Sequence, residues 1–490
     1  MVDFSGDPTA RGFFAPTRFE ADIYDCEVVG QIPEGMQGAF VRVGADWLYP
    51  PMSPQDSPFN GDGYVSMFRF RDGAVDFRGR FVRTERFKAD VAARRQLYGM
   101  YRNPFTDDPS VRDPARPYRR TVSNTNTLAH AGRLFTLKED GPPYQIDPRT
   151  LETIGPFDFG GQYKAQTFTA HPKIDPVSGE LVAFGYEATG LETTDVWMTT
   201  FDRHGKVVHE LRFNTPYVAM LHDVALTQEH VVVPVCGMVS SMQMLHEGKV
   251  HWGWDSSKPT LYAVVPRRGS GKDVRWFKGP ERGTIHTFNA RTEGSKVIME
   301  APFYDSNPFP FFPNVDGSPW KPQKGAYVRR YTFDLGSKSD AVAEETLFAS
   351  PISDLGRIDD RYISLPYRYC YAGYSDAARP FNEARAGNVR GRVTNTYGRF
   401  DLATGNSDFY FAGDTHSLQE PCFVPRRPGA PEGDGWIIGV ASNYGEMRSE
   451  LVIADAQHLA DGDVARVIMP FRLSSQVHAN WVPEDRLELA

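Results

Sequence analysis

The sequence predicts an all-β protein, and three observations support this prediction. Phe, Trp and Tyr make up 13% of the 490 residues, and aromatic side chains favour strands. The chain also contains 44 Gly and 37 Pro, residues that mark turns. Finally, short runs rich in Val, Ile, Phe and Tyr recur between these turn residues. They predict strands at 133–137, 180–186, 230–235, 261–265, 296–300, 436–441 and 450–453.

A weak internal repeat orders these strands. An apolar residue, an Asp and a short turn lead into another strand at Asp147, Asp175, Asp202, Asp334 and Asp401. Asp at the start of a turn hydrogen-bonds the nearby backbone, and a following Gly supplies positive φ. We interpret these segments as hairpins between outer strands of a repeated four-stranded unit, which predicts a β-propeller. Seven blades of 70 residues would fill the 490-residue chain, but the loose period leaves the blade number open.

Few segments depart from the strand pattern. Residues 89–98 and 376–385 are predicted to be helical, and the proline-rich segments 47–58 and 302–322 are predicted to be long ordered loops. Long loops in compact proteins are often functional. No composition shift separates two domains, so we expect a single propeller domain over residues 1–490, with an extended N-terminal segment over about residues 1–37.

The composition excludes several functional classes. A net charge of -8 and a pI near 5.9 lack the basic character of nucleic-acid-binding proteins. The four cysteines form no CxxC pair, and no dinucleotide, phosphate-loop, zincin or serine-hydrolase motif is complete. The N-terminus does not resemble a signal peptide, and no apolar run approaches the roughly 20 residues of a membrane-spanning helix. We therefore expect a cytoplasmic protein without stable membrane insertion.

Four of the twelve histidines have distinctive surroundings. His171, His222, His286 and His478 each lie at a predicted strand edge beside apolar residues. Spacings of 51, 64 and 192 residues would place them on different blades. Because a propeller brings one strand of each blade to a common axis, these four side chains are candidates to converge there.

Several motifs resemble those of the carotenoid cleavage oxygenases. They are residues 59–65 (FNGDGYV), 80–85 (RFVRTE) and 420–425 (EPCFVP), together with the four histidine contexts, and the resemblance extends over about residues 38–482. It implies a seven-bladed β-propeller with an axial metal site and long loops that cap one face. It also implies that His171, His222, His286 and His478 bind Fe(II).

The resemblance further implies that carboxylates orient three of these histidines. Glu139 and Glu420 match two of the family's positions. At the third, many family members read EFPRI, whereas residues 354–358 here read DLGRI. Asp354 is one methylene shorter than Glu, which leaves open whether its contact with a histidine is direct or mediated by water.

Lys138, Tyr101 and Phe59 resemble residues of the lignostilbene and stilbene dioxygenases. This implies that Lys138 and Tyr101 bind the phenolic oxygen and take part in catalysis, and that Phe59 stacks on the aryl ring. The implied reaction cleaves the central double bond of a 4-hydroxystilbene with O2 to give two aldehydes, without an organic cofactor. An apocarotenoid oxygenase, a metal-dependent isomerase or hydrolase, and a non-catalytic scaffold are the alternatives. A homodimer is left open.

Overall fold

The computed structural model describes residues 2–4, 10–379, 381–387, 389, 393–475 and 477–487. Seven antiparallel sheets surround a central axis, and each contributes its innermost strand to that axis. The prediction of an all-β, seven-bladed propeller is confirmed. No helix among these residues is long and apolar enough to cross a membrane. The division into a single domain stays a prediction.

The blades are numbered 1 to 7 around the axis, and their strands are given from the axis outwards. Blade 1 contains His478–Pro483, Gly38–Asp46, Asp62–Arg71, Ala74–Phe81 and Ala21–Ile23. Blade 2 contains Asn126–His130, Arg133–Leu137, Tyr144–Ile146 and Thr153–Pro156. Blade 3 contains Lys173–Ile174, Leu181–Tyr186, Asp195–Phe201 and Val207–Asn214. Blade 4 contains Ala225–Leu226, His230–Val235, Leu261–Pro266 and Arg275–Lys278.

The remaining blades continue the same order. Blade 5 contains Asn289–Glu293, Lys296–Phe303, Tyr327–Asp334 and Ala343–Thr346. Blade 6 contains Gly356–Arg357, Tyr369–Tyr374, Thr396–Asp401 and Ser407–Phe411. Blade 7 contains the two inner strands His416–Leu418 and Cys422–Pro425, then Gly435–Asn443, Arg448–Asp455, Asp463–Ile468 and Glu27–Gly30. A two-stranded ribbon, Met238–Val239 with Gly253–Trp254, lies outside the blades.

Both ends of the chain close the ring. The C-terminal strand His478–Pro483 pairs with Gly38–Asp46 in blade 1, and the N-terminal strand Glu27–Gly30 pairs with Asp463–Ile468 in blade 7. Apolar side chains pack between these two blades, including Phe68, which is fully buried. Closure therefore completes blades 1 and 7 with strands from opposite ends of the described chain.

The five predicted Asp turns all form, but not all in the predicted place. In each, the Asp carbonyl and carboxylate accept backbone N–H groups of the following turn. Four join the two outer strands of a blade. The turn at Asp175 instead joins the two inner strands of blade 3, so its assignment to an outer hairpin was wrong. The sequence signature reports the turn geometry and is the same for inner and outer hairpins.

The predicted helices were misplaced. The helix expected at 89–98 spans Glu85–Ala93, because the Thr84 hydroxyl accepts the N–H of Phe87 as an N-cap and Arg94 ends the helix with a φ of 57°. Within 376–385 the helical residues lie in Glu383–Ala386, while residue 380 falls outside the described residues. Two further short helices, Met242–His246 and Glu484–Leu487, were not predicted.

Candidate metal centre

Four histidines from four blades meet on the axis. His171, His222 and His286 come just before the inner strands of blades 3, 4 and 5, and His478 begins the inner strand of blade 1. One ring nitrogen of each lies within 4.8 Å of the corresponding atoms of the others. The structure therefore brings all four predicted ligands together.

Three of these imidazoles are oriented by a carboxylate behind the ring. A carboxylate only accepts hydrogen bonds, so the paired Nδ1 carries the hydrogen and Nε2 turns its lone pair to the axis. Among the described residues, no carboxylate pairs with His171. The three pairs, with their Nδ1-to-oxygen distances, are His222 and Glu139 at 2.6 Å, His286 and Asp354 at 2.5 Å, and His478 and Glu420 at 2.9 Å.

Asp354 contacts its histidine directly, despite its shorter side chain. Gly356 explains the reach: a Cβ there would lie 2.0 Å from the ring of Phe288, two residues after His286. Only glycine permits this close approach of blade 6 to blade 5. The N–H of Gly356 also donates to the Asp354 carbonyl at 2.8 Å, in a tight turn. In DLGRI, the shorter acid is therefore accompanied by a glycine that lets blade 6 pack closely against blade 5.

Burial and the paired charges set the protonation of the centre. Burial, together with the neighbouring histidines, holds the pKa of His171 well below its usual range, and burial lowers that of His478 to about 4 against the opposing effect of Glu420. Burial alone would raise the pKa of Glu139, but His222 lowers it to about 2. Burial alone would also lower the pKa of His286, and Asp354 reverses this and raises it. The lowered pKa values favour neutral rings at His171 and His478 and an ionised Glu139, as metal binding requires. The raised pKa of His286 favours a protonated ring, which would release its proton when a metal binds.

The donor set fits a divalent transition metal. The buried Nε2 atoms of His286 and His478 have no hydrogen-bond partner. Nε2 of His171 lies 3.1 Å from Nε2 of His222. Two ring nitrogens at this distance share either a hydrogen or a metal ion, and imidazole nitrogen is a preferred ligand of Fe, Zn, Cu and Ni.

Lys138 is a buried ammonium with no carboxylate in ion-pair range among the described residues. Its Nζ donates to the Phe59 carbonyl at 3.0 Å and to Asn124 Oδ1 at 2.8 Å, and it lies 4.9 Å from the centre of the Tyr101 ring. Burial lowers the pKa of Lys138. Buried charges are normally paired, and the third N–H of this ammonium can donate to an anionic oxygen.

Tyr101 connects this ammonium to the metal centre. Its hydroxyl donates to Glu139 Oε1 at 2.9 Å, while the other oxygen of Glu139 contacts His222. Burial and the nearby Glu139 carboxylate hold the pKa of Tyr101 well above its usual value, so the hydroxyl stays protonated. The tyrosine hydrogen is thus engaged with Glu139, and its ring lines an apolar cluster with Leu221 and, at the cluster's edge, Phe59.

Phe59 lies in an aromatic group built by the second proline-rich loop. Its ring centre is 5.1 Å from that of Phe311 and 6.5 Å from that of Phe309, both in edge-on contact. Ile285, the residue before His286, packs against the same cluster. This apolar region therefore borders the histidines at the end where the inner strands begin.

A second space reaches the histidines from the other direction. A cavity of about 630 Å³ is lined by His171, His286 and His478 and by residues that follow them along the inner strands. Phe59, Tyr101 and Lys138 do not line this axial cavity. The histidines thus border two different regions. The apolar aromatic region carries the predicted substrate residues, and the axial cavity does not.

A second buried group was missed by sequence reasoning. Glu187, Glu192 and His251 lie close enough to share a cation, but Arg102 already forms an ion pair with Glu187. The Arg102 guanidinium also lies 3.3 Å from the Glu139 carbonyl. We assign this group to support of the loop that carries Tyr101. Nothing around His251 in the sequence distinguishes it from a surface histidine.

Known proteins share this architecture over the whole chain. The family described as Retinal pigment epithelial membrane protein (RPE65) matches residues 14–483. Lignostilbene-alpha,beta-dioxygenase isozyme III of Sphingomonas paucimobilis is 42% identical, covering 100% of both chains. Isoeugenol monooxygenase of Pseudomonas putida is 40% identical, covering 97% of this chain and 98% of that protein. The crystal structure of Pseudomonas brassicacearum lignostilbene dioxygenase superposes with a TM-score of 0.94 at 40% identity, covering 99% and 100% of the two chains.

The fold and the axial histidines define a propeller with a candidate metal centre on its axis. The chain belongs to the RPE65, or carotenoid cleavage oxygenase, family. It is accordingly an enzyme of the oxygenase class.

Proposed function

We propose that this enzyme binds Fe(II) through His171, His222, His286 and His478 and cleaves the central double bond of 4-hydroxystilbenes. The reaction consumes one O2 and yields two aldehydes, so each carbon of the broken C=C bond receives one oxygen atom. The observation that carries the proposal is that a buried ammonium lies close to the four histidines. Contacts run from Lys138 through Tyr101 and Glu139 to His222.

The four histidines supply ligands suited to iron. Neutral imidazoles bind Fe(II), and four of them leave coordination positions unfilled. Iron, when bound, supplies the redox chemistry that activates dioxygen. Glu139, Asp354 and Glu420 keep three rings in the tautomer that presents Nε2 to the axis.

Lys138 acts on the phenol end of the substrate. An ionised or strongly hydrogen-bonded 4-hydroxyl group sends electron density through the ring into the conjugated alkene. The ammonium stabilises that negative oxygen, and within the described part of the chain no carboxylate forms an ion pair with it. The carbonyl of Phe59 and the amide of Asn124 hold the ammonium in place.

The aromatic side of the site holds the two rings of the substrate. Phe59 meets the loop phenylalanines Phe309 and Phe311 edge-on, and the three rings form an apolar wall. Such surfaces bind aryl groups through edge and stacking contacts and exclude water from the reacting bond.

Oxygen uptake against a small substrate panel tests the proposal. We expect iron-loaded enzyme to consume one O2 per 4-hydroxystilbene and release two aldehydes, with little turnover of 4-methoxystilbene. Rapid cleavage of an apocarotenal with no turnover of the hydroxystilbene would instead select the apocarotenoid alternative. Turnover without oxygen consumption would select the isomerase or hydrolase alternative.

Isoeugenol is a second candidate substrate. The isoeugenol monooxygenase relative is 40% identical, close to the 42% of the lignostilbene relative. Both compounds place a phenol in conjugation with an alkene, which is the feature that Lys138 would recognise. The relative kcat/KM for the two compounds decides between a one-ring and a two-ring substrate.

A further inference from the structure

A closed series of hydrogen bonds surrounds the axial cavity just beyond the histidines. Its side chains come from the inner strands or from residues close to them, and all except Asp354 line the cavity. We call this series the axial belt. Its members, beyond the carboxylates already described, are Asn126, Lys173, Asp223, Thr287, Arg357 and Asn480.

Asp223 forms one half of the axial belt. It directly follows His222 in blade 4, and its buried carboxylate contacts Lys173 Nζ of blade 3 at 2.7 Å. Its other oxygen accepts the backbone N–H of Thr287 in blade 5 at 2.8 Å. One side chain therefore joins the three neighbouring blades that carry His171, His222 and His286.

Arg357 and Asn480 form the other half. The Arg357 guanidinium of blade 6 donates to the Ala479 carbonyl of blade 1 at 2.6 Å and to Asn480 Oδ1 at 3.1 Å. The Asn480 amide donates to Asn126 Oδ1 of blade 2 at 2.9 Å. The Asn126 amide donates in turn to the Ala170 carbonyl, next to His171, at 2.9 Å.

Two of the carboxylate–histidine pairs close the ring. His286 of blade 5 contacts Asp354 of blade 6, and Glu420 of blade 7 contacts His478 of blade 1. Glu420 also accepts the backbone N–H of Ala479 at 2.8 Å. Arg357 of blade 6 also contacts Glu420 of blade 7, with 3.5 Å between the guanidinium nitrogen and Oε2. With this contact, every blade is linked to its neighbours around the histidines.

Backbone pairing fixes His478, which lies opposite Val43 in blade 1, but it does little to fix His171 and His222. The inner strands of blades 3, 4 and 6 are only two residues long, Lys173–Ile174, Ala225–Leu226 and Gly356–Arg357. His171 and His222 precede such strands, and neither is itself in the ladder. Side-chain hydrogen bonds from the adjacent residues must supply the precision that a long ladder would otherwise provide.

We propose that the axial belt positions the four histidines for metal binding, with Asp223 and Asn480 as its principal positioning residues. The inference rests on the proposed metal centre and extends it from the three carboxylates to all seven blades. Groups that orient metal ligands typically change metal affinity 10- to 100-fold when altered. Loss of a belt member is expected to loosen the arrangement of the four histidines, while all four remain as ligands.

Metal titration of two belt variants tests this role. Metal-free Asp223→Asn and Asn480→Ala proteins are titrated with Co(II), and Kd is obtained by chelator competition together with the visible d–d spectrum. We expect Kd to rise at least about 10-fold and the spectrum to shift, with one Co(II) still bound per chain. The two variants break the belt at separate places, so a folded form of either one decides the question.

Asp175→Asn is the matched control. Asp175 is equally buried, and its carboxylate is held by Arg267 at 2.8 Å and Gln228 at 3.0 Å, away from the ring. We expect it to lower Tm without changing Co(II) affinity or spectrum. Belt variants that lower Tm like the control but keep the wild-type Kd and spectrum would overturn the inference. A wild-type protein that binds no Co(II) would instead overturn the proposed metal centre.

Discussion

The two ends of the active site are prepared for opposite charges. At the axis, histidine lone pairs converge and three carboxylates stand behind them, an arrangement that attracts a cation. At Lys138, a buried ammonium is held by two neutral oxygens, and no carboxylate of the described residues lies within ion-pair distance of it. Under the proposed function, a metal ion would satisfy the first end and a phenolic oxygen the second.

Removal of one ligand should have the largest effect. We expect His222→Ala to lose bound iron and with it all activity, because its Nε2 and the orientation supplied by Glu139 both disappear. Metal analysis of the purified variant checks this. Full iron retention would remove His222 from the centre, and His204→Ala, at an exposed turn, is the control that should keep its iron.

Removal of the ammonium should affect the other end alone. We expect Lys138→Met to lower kcat/KM for a 4-hydroxystilbene by about 10- to 100-fold, the value of a charged hydrogen bond of 1.5–3 kcal/mol. Iron content should stay at the wild-type level. Unchanged kinetics would exclude Lys138 from substrate binding, whereas loss of iron would show that the two ends are not independent.

Asp354 lies between these extremes. We expect Asp354→Asn to weaken metal binding about 10-fold, because an amide no longer attracts the Nδ1 hydrogen of His286 as an anion does. Asp354→Glu should also weaken binding, since Gly356 has already brought blade 6 close to Phe288. Kd measurements on both variants check this, and tighter binding by the glutamate variant would contradict the close-approach explanation.

The smallest effect is a pH dependence of the lysine contribution. Burial lowers the pKa of Lys138, so the ammonium is lost at a lower pH than for a free lysine. The ratio of kcat/KM between wild type and Lys138→Met should therefore fall several-fold towards one as pH rises, at a pH below the usual 10.4. Ionisation of the substrate cancels in this ratio. A ratio constant up to pH 10.5 would contradict the depressed pKa.

Sequence reasoning found the strands better than their surroundings. Runs such as 133–137 and 230–235 match strands to the residue, because β-branched and aromatic residues between turn residues report the local backbone. The helix at Glu85–Ala93 was predicted at 89–98 because its start depends on the Thr84 cap rather than on apolar spacing. The number of blades came from family resemblance, since long loops hide the period.

The site was predictable where residues carry a motif and unpredictable where they meet through space. The histidines have distinctive neighbours, but Asn124, which holds Lys138, lies 14 residues earlier in an ordinary polar turn. The direct contact of Asp354 depends on the packing of Gly356 against Phe288, 68 residues earlier. Asn480 contacts Asn126 across 354 residues, a distance over which local patterns carry no information.

Anomalous diffraction at the iron absorption edge is the most direct test of iron binding by the four histidines. Crystals of enzyme purified with iron should show one peak per chain, bonded to Nε2 of His171, His222, His286 and His478. No peak on the axis, or a peak at Glu187, Glu192 and His251 instead, would contradict the assignment of the axial histidines as the iron ligands.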